Sequence, residues 1–386
     1  MRIWVNKQKI GNGTGRRGGG ISGLSVGHGK ITTDTSGAAP VCPDGDPTNL
    51  VVTVYSDTRL DLTWTDNSTN EDGFSIERST DGITYAEIDT VAANTVTYSD
   101  NTCVEDTQYW YRVRAYTGTC YSNYTNADDA TTYTMEYADV LAYWDASGWA
   151  LPDAATSAIF NTMTADIGTT IWNKIEFFDF FSTHNQNCSL TNWATAGATF
   201  NPTAVNNPTW AQYEGYTADI AATRYLRSNF RLGVDDTIIG VNDICGIIGI
   251  GSNVAVDSWV FGCRSNATGW FNIFLRAADV RYRCNDLTYV DIANANKKKH
   301  YAISRGNAGN YDSYINLTRT NNVIASTGYP APWNEIWIGA SNEAGPTYSS
   351  QQIRYAWISS YLTEAEVGTV INAIETCLDA LGTGLI

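Results

Sequence analysis

Residues 107–115 read Thr107-Gln108-Tyr109-Trp110-Tyr111-Arg112-Val113-Arg114-Ala115. Strict alternation places Tyr109, Tyr111, Val113 and Ala115 on one face and Trp110, Arg112 and Arg114 on the other, which is the period of a strand with one buried side. Upstream, Leu60-Asp61-Leu62-Thr63-Trp64 alternates in the same way and groups Leu60, Leu62 and Trp64. Phe74-Ser75-Ile76-Glu77-Arg78 follows an Asp72-Gly73 turn, and Asp81-Gly82 parts it from the run Tyr85 to Ile88. From Cys42 to Tyr133 short runs of this kind recur every ten or so positions, the rhythm of a β-sandwich whose core candidates are Trp64 and Tyr109.

This stretch resembles a fibronectin type III domain. Pro47-Thr48-Asn49-Leu50 matches its opening, Leu62-Thr63-Trp64 its second strand and residues 107–115 its sixth, over about ninety residues. The resemblance implies that Tyr109 is a tyrosine corner, with its ring buried and its hydroxyl satisfying nearby backbone. It also implies a spacer or presenter rather than a binding cleft. Residues 41–133 carry 16 acidic side chains and four arginines, with no lysine, so such modules repel one another when crowded.

The chain has 386 residues, enough for two or three cores. Its net charge is 24 − 40 = −16, which argues against nucleic acid as a partner. No run of about 18 apolar residues occurs, so membrane insertion is not expected, and the first residues lack the apolar core of an export signal. Eight cysteines without a CxxC and three scattered histidines predict no metal site, and no cofactor is expected. Most cysteines read as buried free thiols. Cys103 and Cys120 flank the strand ending at Ala115, which spans about 23 Å, so they lie at opposite poles and do not pair. Cys42 enters at the pole where that strand leaves, which makes Cys42 and Cys120 the candidate disulfide.

Residues 1–41 form a Gly-rich arm. Its first 40 residues hold ten of the 33 glycines and carry Arg2, Lys7, Lys9, Arg16, Arg17 and Lys30 against Asp34, a net 6 − 1 = +5. The remainder carries −16 − 5 = −21. A basic arm on an acidic body reads as a docking tail, with Ile3, Trp4 and Val5 as apolar pegs and Arg16 and Arg17 as charge contacts.

Residues 135–386 read as a second domain, bounded by helical segments. Pro152 is expected in a first helical turn, followed by Ala155, Ile159, Phe160, Met163 and Ile167 on one face. Thr363-Glu364-Ala365-Glu366 is a capping box before Val367, Val370, Ile371, Ile374, Leu378 and Leu381, and Gly382 supplies the stop. Between the helices, short runs such as 247–250, 259–261, 270–275, 300–304, 335–339 and 353–358 predict a large sandwich. Residues 222–228 and, later, residues 336–342, 354–358 and 362–367 resemble in order the strands and closing helix of concanavalin A-like (laminin G-like) domains of phage fibre and virion surface proteins. The fold class is therefore mainly β: an arm, a fibronectin type III sandwich over 42–134, and a concanavalin A-like jelly roll with flanking helices over 135–386.

The sequence offers no catalytic device. A retaining glycosidase needs two carboxyl groups about 5 Å apart, and the E-x-D-x-x-E pattern that supplies them on this sandwich is missing. Residues 176–181 hold one Glu and one Asp among four phenylalanines and read as a buried strand edge. No GxSxG occurs, Gly11 to Gly15 lacks a P-loop ending, and Lys297-Lys298-Lys299 reads as a solvated turn. Exposed aromatics beside amides suit glycan contact, and Trp333, Asn334 and Tyr348 are the candidates. Taken together the regions resemble the capsid head fibres of crAss-like phages. That resemblance implies a non-enzymatic, cofactor-free virion surface protein made in the bacterial cytoplasm, anchored by its arm to capsid or other virion proteins, self-associating as a homotrimer and adhering to glycans or a host surface. A phage tail fibre or a secreted bacterial carbohydrate-binding protein are the alternatives.

Overall fold

A computed structural model describes residues 41–385, except 196–198, 220, 222, 233, 236–238, 240–241, 255–256, 265–269, 287, 326–333 and 342–347. The arm residues Ile3, Trp4, Val5, Arg16 and Arg17 lie outside the described residues. Residues 42–386 form one compact unit.

The first sandwich contains β1 (Thr48–Val54), β2 (Leu60–Thr65), β3 (Gly73–Ser79), β4 (Ala86–Ala92), β5 (Thr97–Asp100), β6 (Gln108–Thr117), β7 (Cys120–Tyr121) and β8 (Asp128–Thr131). One sheet runs β1-β2-β5 and the other β4-β3-β6-β7, with β8 pairing β6, all antiparallel. This is the fibronectin type III arrangement. The alternating residues face each other as the pattern requires: Leu60, Leu62, Trp64, Phe74, Ile76, Tyr109, Tyr111, Val113 and Ala115 form one buried cluster. Trp64 meets Phe74 edge to face at 5.6 Å. The Tyr109 hydroxyl accepts the Val104 N–H at 3.0 Å, so a buried ring also satisfies the turn that leads into its strand. Cys42 and Cys120 are disulfide-bonded, with Cα atoms 5.1 Å apart, while Cys103 is a buried free thiol.

The second domain opens with α1 (Met135–Ala146), capped by Thr134, and α2 (Ala154–Ile167), capped by Asp153. Pro152 thus precedes the cap instead of occupying the first turn: the Asp153 carboxylate accepts the Thr156 N–H at 2.8 Å and fixes the start one residue later. A short α3 (Thr169–Trp172) follows. The strands are β9 (Ile175–Phe180), β10 (Thr203–Val205), β11 (Thr209–Ala211), β12 (Gly215–Thr217), β13 (Tyr225–Arg231), β14 (Ile244–Ile250), β15 (Ser258–Arg264) and β16 (Trp270–Leu275). They continue with β17 (Asp279–Asp286), β18 (Val290–Ala293), β19 (Lys299–Arg305), β20 (Tyr311–Ile315), β21 (Thr318–Asn322), β22 (Glu335–Ile338) and β23 (Gln352–Ser359), before α4 (Glu364–Ala380).

Two antiparallel sheets result. One has seven strands, β10-β13-β22-β15-β16-β17-β18; the other has eight, β11-β12-β23-β14-β19-β20-β21, with β9 added against β23. Phe261, Phe271, Ile273, Ile336, Ile338, Tyr282 and their neighbours fill the space between the sheets. The far side of the eight-stranded sheet is covered by α1, α2 and α4 through Trp144, Phe160, Trp357, Ile371, Ile374 and Leu378. The helices therefore form a third layer on one side, and the opposite face of the seven-stranded sheet carries none of them.

Three buried polar features mark this packing. The Thr363–Glu366 capping box is formed, and α4 is pinned by Glu375, whose one carboxylate oxygen lies 2.8 Å from His300 Nε2 while the other accepts the Leu385 N–H at 2.6 Å. His300 Nδ1 in turn sits 2.7 Å from the Tyr355 hydroxyl. Asp179, in the middle of β9, is fully buried, and neither carboxylate oxygen has a hydrogen-bond partner. Its flanking residues Phe177 and Phe181 belong to the inter-sheet core, and burial pushes the carboxyl well above the usual carboxylate range. Lys297 is also buried instead of solvated, its ammonium donating to the carbonyls of Asp279 (3.1 Å) and Asn294.

Candidate functional site

Strand alternation decides what the seven-stranded sheet presents on the face that, among the described residues, carries no helix. In β16 the residues Phe271, Ile273 and Leu275 point into the core, so Trp270, Asn272 and Phe274 face outward. In β22, Ile336 and Ile338 are core and Trp337 and Glu335 are outward; in β17, Val280, Tyr282 and Cys284 are core and Arg281 and Arg283 are outward. The register aligns these into one row across five strands: Arg227 opposite Trp337, Trp337 opposite Gly262, Gly262 opposite Asn272, and Asn272 opposite Arg283.

Gly262 is the centre of that row and must be glycine. Its φ is 139°, and a Cβ would lie 2.2 Å from the Phe271 carbonyl oxygen. Gly262 thus lets β15 and β16 approach closely, and it separates Trp337 from Asn272, which stand two strands, about 10 Å, apart. Trp337 Nε1 and both polar atoms of Asn272 are buried without a hydrogen-bond partner. Leaving such groups unpaired costs about 1–3 kcal/mol each, so each needs an explanation other than folding stability. Asn272 sits between Trp270 and Phe274 along β16, and Trp259 stacks on both, at 5.1 Å and 4.9 Å. On the other side of Gly262 the Tyr225 ring lies 4.5 Å from Trp337 and 5.7 Å from Tyr348.

The charges around this floor are tied down. Arg227 grips Glu335 through two nitrogens (2.9 and 2.5 Å), and Arg281 grips Asp291 through two (2.8 Å each) while lying 3.5 Å above the Tyr289 ring. The Arg281 hydrogen bond, helped by Arg276, holds the Asp291 carboxyl below its ordinary range despite partial burial. Glu335 and Asp291 stand four strand spacings apart, about 19 Å, well beyond the carboxyl separations of either glycosidase mechanism. What remains is an aromatic floor with amide and indole hydrogen-bonding groups and with Arg283 opposite Asn272, 5.2 Å from the Trp270 ring, chemistry that suits a polyhydroxylated ring.

Tyr348 thus belongs to the aromatic cluster. Asn334 lies at the opposite end of β22, about 20 Å along the strand from Ala340, the bridge partner of Tyr348, so the two do not meet at one spot, and Trp333 lies outside the described residues. Trp337, Asn272, Gly262, Trp270, Trp259 and Tyr225 were not singled out by sequence. The signal that finds them is the alternation within runs 270–275 and 336–338, where Asn272 interrupts an apolar stretch and Trp337 stands between two isoleucines. Among the described residues no group of three metal-ligating side chains converges, and no helix is long and apolar enough to cross a membrane.

The fold defines a β-sandwich protein that contains a fibronectin type III domain. No family model matches the chain, and no curated protein matches it. Among solved structures, it is similar to titin domains A168–A170 (20 % identity, 22 % of this chain and 31 % of that one, TM-score 0.20). It is also similar to an Fn3-like protein from Clostridium thermocellum (25 %, 22 % and 90 %, TM-score 0.20) and the fn3 domain of human contactin 1 (18 %, 29 % and 94 %, TM-score 0.24). The chain thus spans about a third of the titin segment that it matches.

Proposed function

We propose that this chain is a non-enzymatic structural protein of a bacteriophage virion, a capsid head fibre or decoration protein. The basic arm attaches it to capsid or other virion proteins, the fibronectin type III domain is a spacer, and the second sandwich is turned outward as a homotrimer that adheres to glycans. The observation that carries the adhesive role is the uncovered face of the seven-stranded sheet: Trp337, Gly262 and Asn272 in one row, with unpaired hydrogen-bonding groups beside aromatic rings. The virion placement rests on the order of arm, spacer and sandwich.

The test is negative-stain microscopy of virions labelled with an antibody against residues 135–386. Label on capsids supports the reading. Label confined to tail tips overturns the head placement in favour of a tail fibre, and unlabelled virions overturn both. Sedimentation of residues 135–386 at micromolar concentration checks the oligomer, with a trimer expected and a monomer removing this domain as the driver of assembly.

A further inference from the structure

The linker between the sandwiches is held by short backbone contacts: the Tyr133 N–H donates to the Ser56 carbonyl (3.4 Å), the Asp106 N–H to the Tyr133 carbonyl (3.2 Å), and the Met135 N–H to Glu105 (3.0 Å). Three hollows surround it, of about 500, 600 and 390 Å³. Val54 and Tyr133 line the first two, and Asp106 and Ala165 the last two, so together they make one trough. Its helical wall is built from alanines, Ala138 and Ala142 of α1 and Ala154, Ala158 and Ala165 of α2, which leave depth for a bulky side chain.

Two properties of this trough are unusual for a finished surface. Tyr55, Val104, Met135 and Leu151 stand around it 62, 60, 49 and 45 % exposed, so four large apolar side chains face solvent around one hollow. Glu105, Asp106, Glu136 and Asp145 line it, and no lysine or arginine does among the described residues. Burial, and then the charges of Glu105 and Asp166, raise the Asp106 carboxyl above its ordinary range; Glu136 is raised by burial, with Glu105 and Asp139 adding. Like charges are thus crowded here, and Arg59, stacked 4.0 Å over the Tyr55 ring, is tied to Asp61.

The same face of a second copy is a poor occupant, since it would set carboxylates against carboxylates. The chemistry that fits is an apolar peg with cations beside it on a backbone free to lie close. Residues 1–40 have that composition: Arg2-Ile3-Trp4-Val5 followed by Lys7, Lys9, Arg16 and Arg17, ten glycines and a net charge of +5. Forty residues extend to at most about 130 Å, ample to reach a neighbouring molecule. We propose that the trough seats the N-terminal arm of a second copy of this chain, with Trp4 against the alanine wall and the arm's lysines and arginines against the carboxylate rim. The proposal rests on the reading of the arm as a docking segment and names another copy of the chain as its partner.

The experiment titrates a fluorescein-labelled peptide of residues 1–36 into the chain lacking those residues, followed by anisotropy at low and high salt. The truncated chain retains all three hydrophobic cores, each formed wholly within residues 42–386. Saturable binding is expected, weaker at high salt and weakened about tenfold by Asp106→Asn with Glu136→Gln. Ala158→Trp, at an exposed position, leaves every charge in place and fills the trough, so it should also weaken binding about tenfold with unchanged melting. The full chain, whose own arms compete, should take up the peptide more weakly. No saturation by about 100 µM, or equal binding to Ala158→Trp, overturns the proposal. The titration needs no virion, so a peptide that binds while virions stay unlabelled would sink the virion reading and leave this one standing.

Discussion

Replacing Asp179 with asparagine should remove a pH dependence from the stability of the second sandwich. The side chain is fully buried between Phe177 and Phe181 with both oxygens unpartnered, and its folded pKa is raised by desolvation alone. A raised folded pKa means that the native state holds a proton that the unfolded chain releases above about pH 4. The group's contribution is therefore fully present below that pH and is lost as pH rises toward and through the folded value. While the native carboxyl keeps its proton, the loss runs at up to about 1.4 kcal/mol per pH unit. Asparagine keeps the shape and carries no ionisation, while every other titration is common to both proteins. Denaturant unfolding of residues 135–386 at pH 4.5, 5.5 and 6.5 should show the asparagine variant gaining on wild type by up to about 1.4 kcal/mol per unit. Parallel pH profiles for the two proteins would refute the reasoning, because they would mean that the carboxyl titrates as it does in water.

Cys42→Ser opens a loop of sequence separation 78 and should destabilise the first sandwich by about 4 kcal/mol, read as a lowered melting temperature that dithiothreitol no longer changes. Glu375→Ala strands both His300 Nε2 and the Leu385 N–H and should cost about 3 kcal/mol, with α4 becoming the first site of proteolysis. Trp337→Ala should reduce retention on a neutral glycan column at least about tenfold, with Trp337→Phe partly restoring it and with unchanged melting of the first sandwich; undiminished retention would move glycan contact off this face.

The parts of the fold that were legible are those where one physical signal acted alone. Strict alternation around Tyr109 and Trp64 specified both the first sandwich and its inner face, and the Thr363 capping box specified the start of α4. Helix α1 was legible and passed over: Tyr137, Val140 and Trp144 recur at helical spacing behind the Thr134 cap. The adhesive face was harder, because both sides of β16 and β22 are apolar, and periodicity cannot tell a core isoleucine from an outward tryptophan when both are large and hydrophobic. Register was harder still. That Gly262 stands between Trp337 and Asn272, residues 65 positions apart, follows from pairings that only the assembled sheet creates.

The Cys42–Cys120 bond also sets how the chain carries load. A pull on the arm reaches Cys42, crosses the sulfur bridge to Cys120, and continues along residues 121–134 into α1. Residues 43–119, which include β1 to β6, hang outside that path as a slack loop. With the bridge intact, tension passes through β7 and β8 and bears on their pairing with β6; with it reduced, the same tension enters through β1 and loads its pairing with β2.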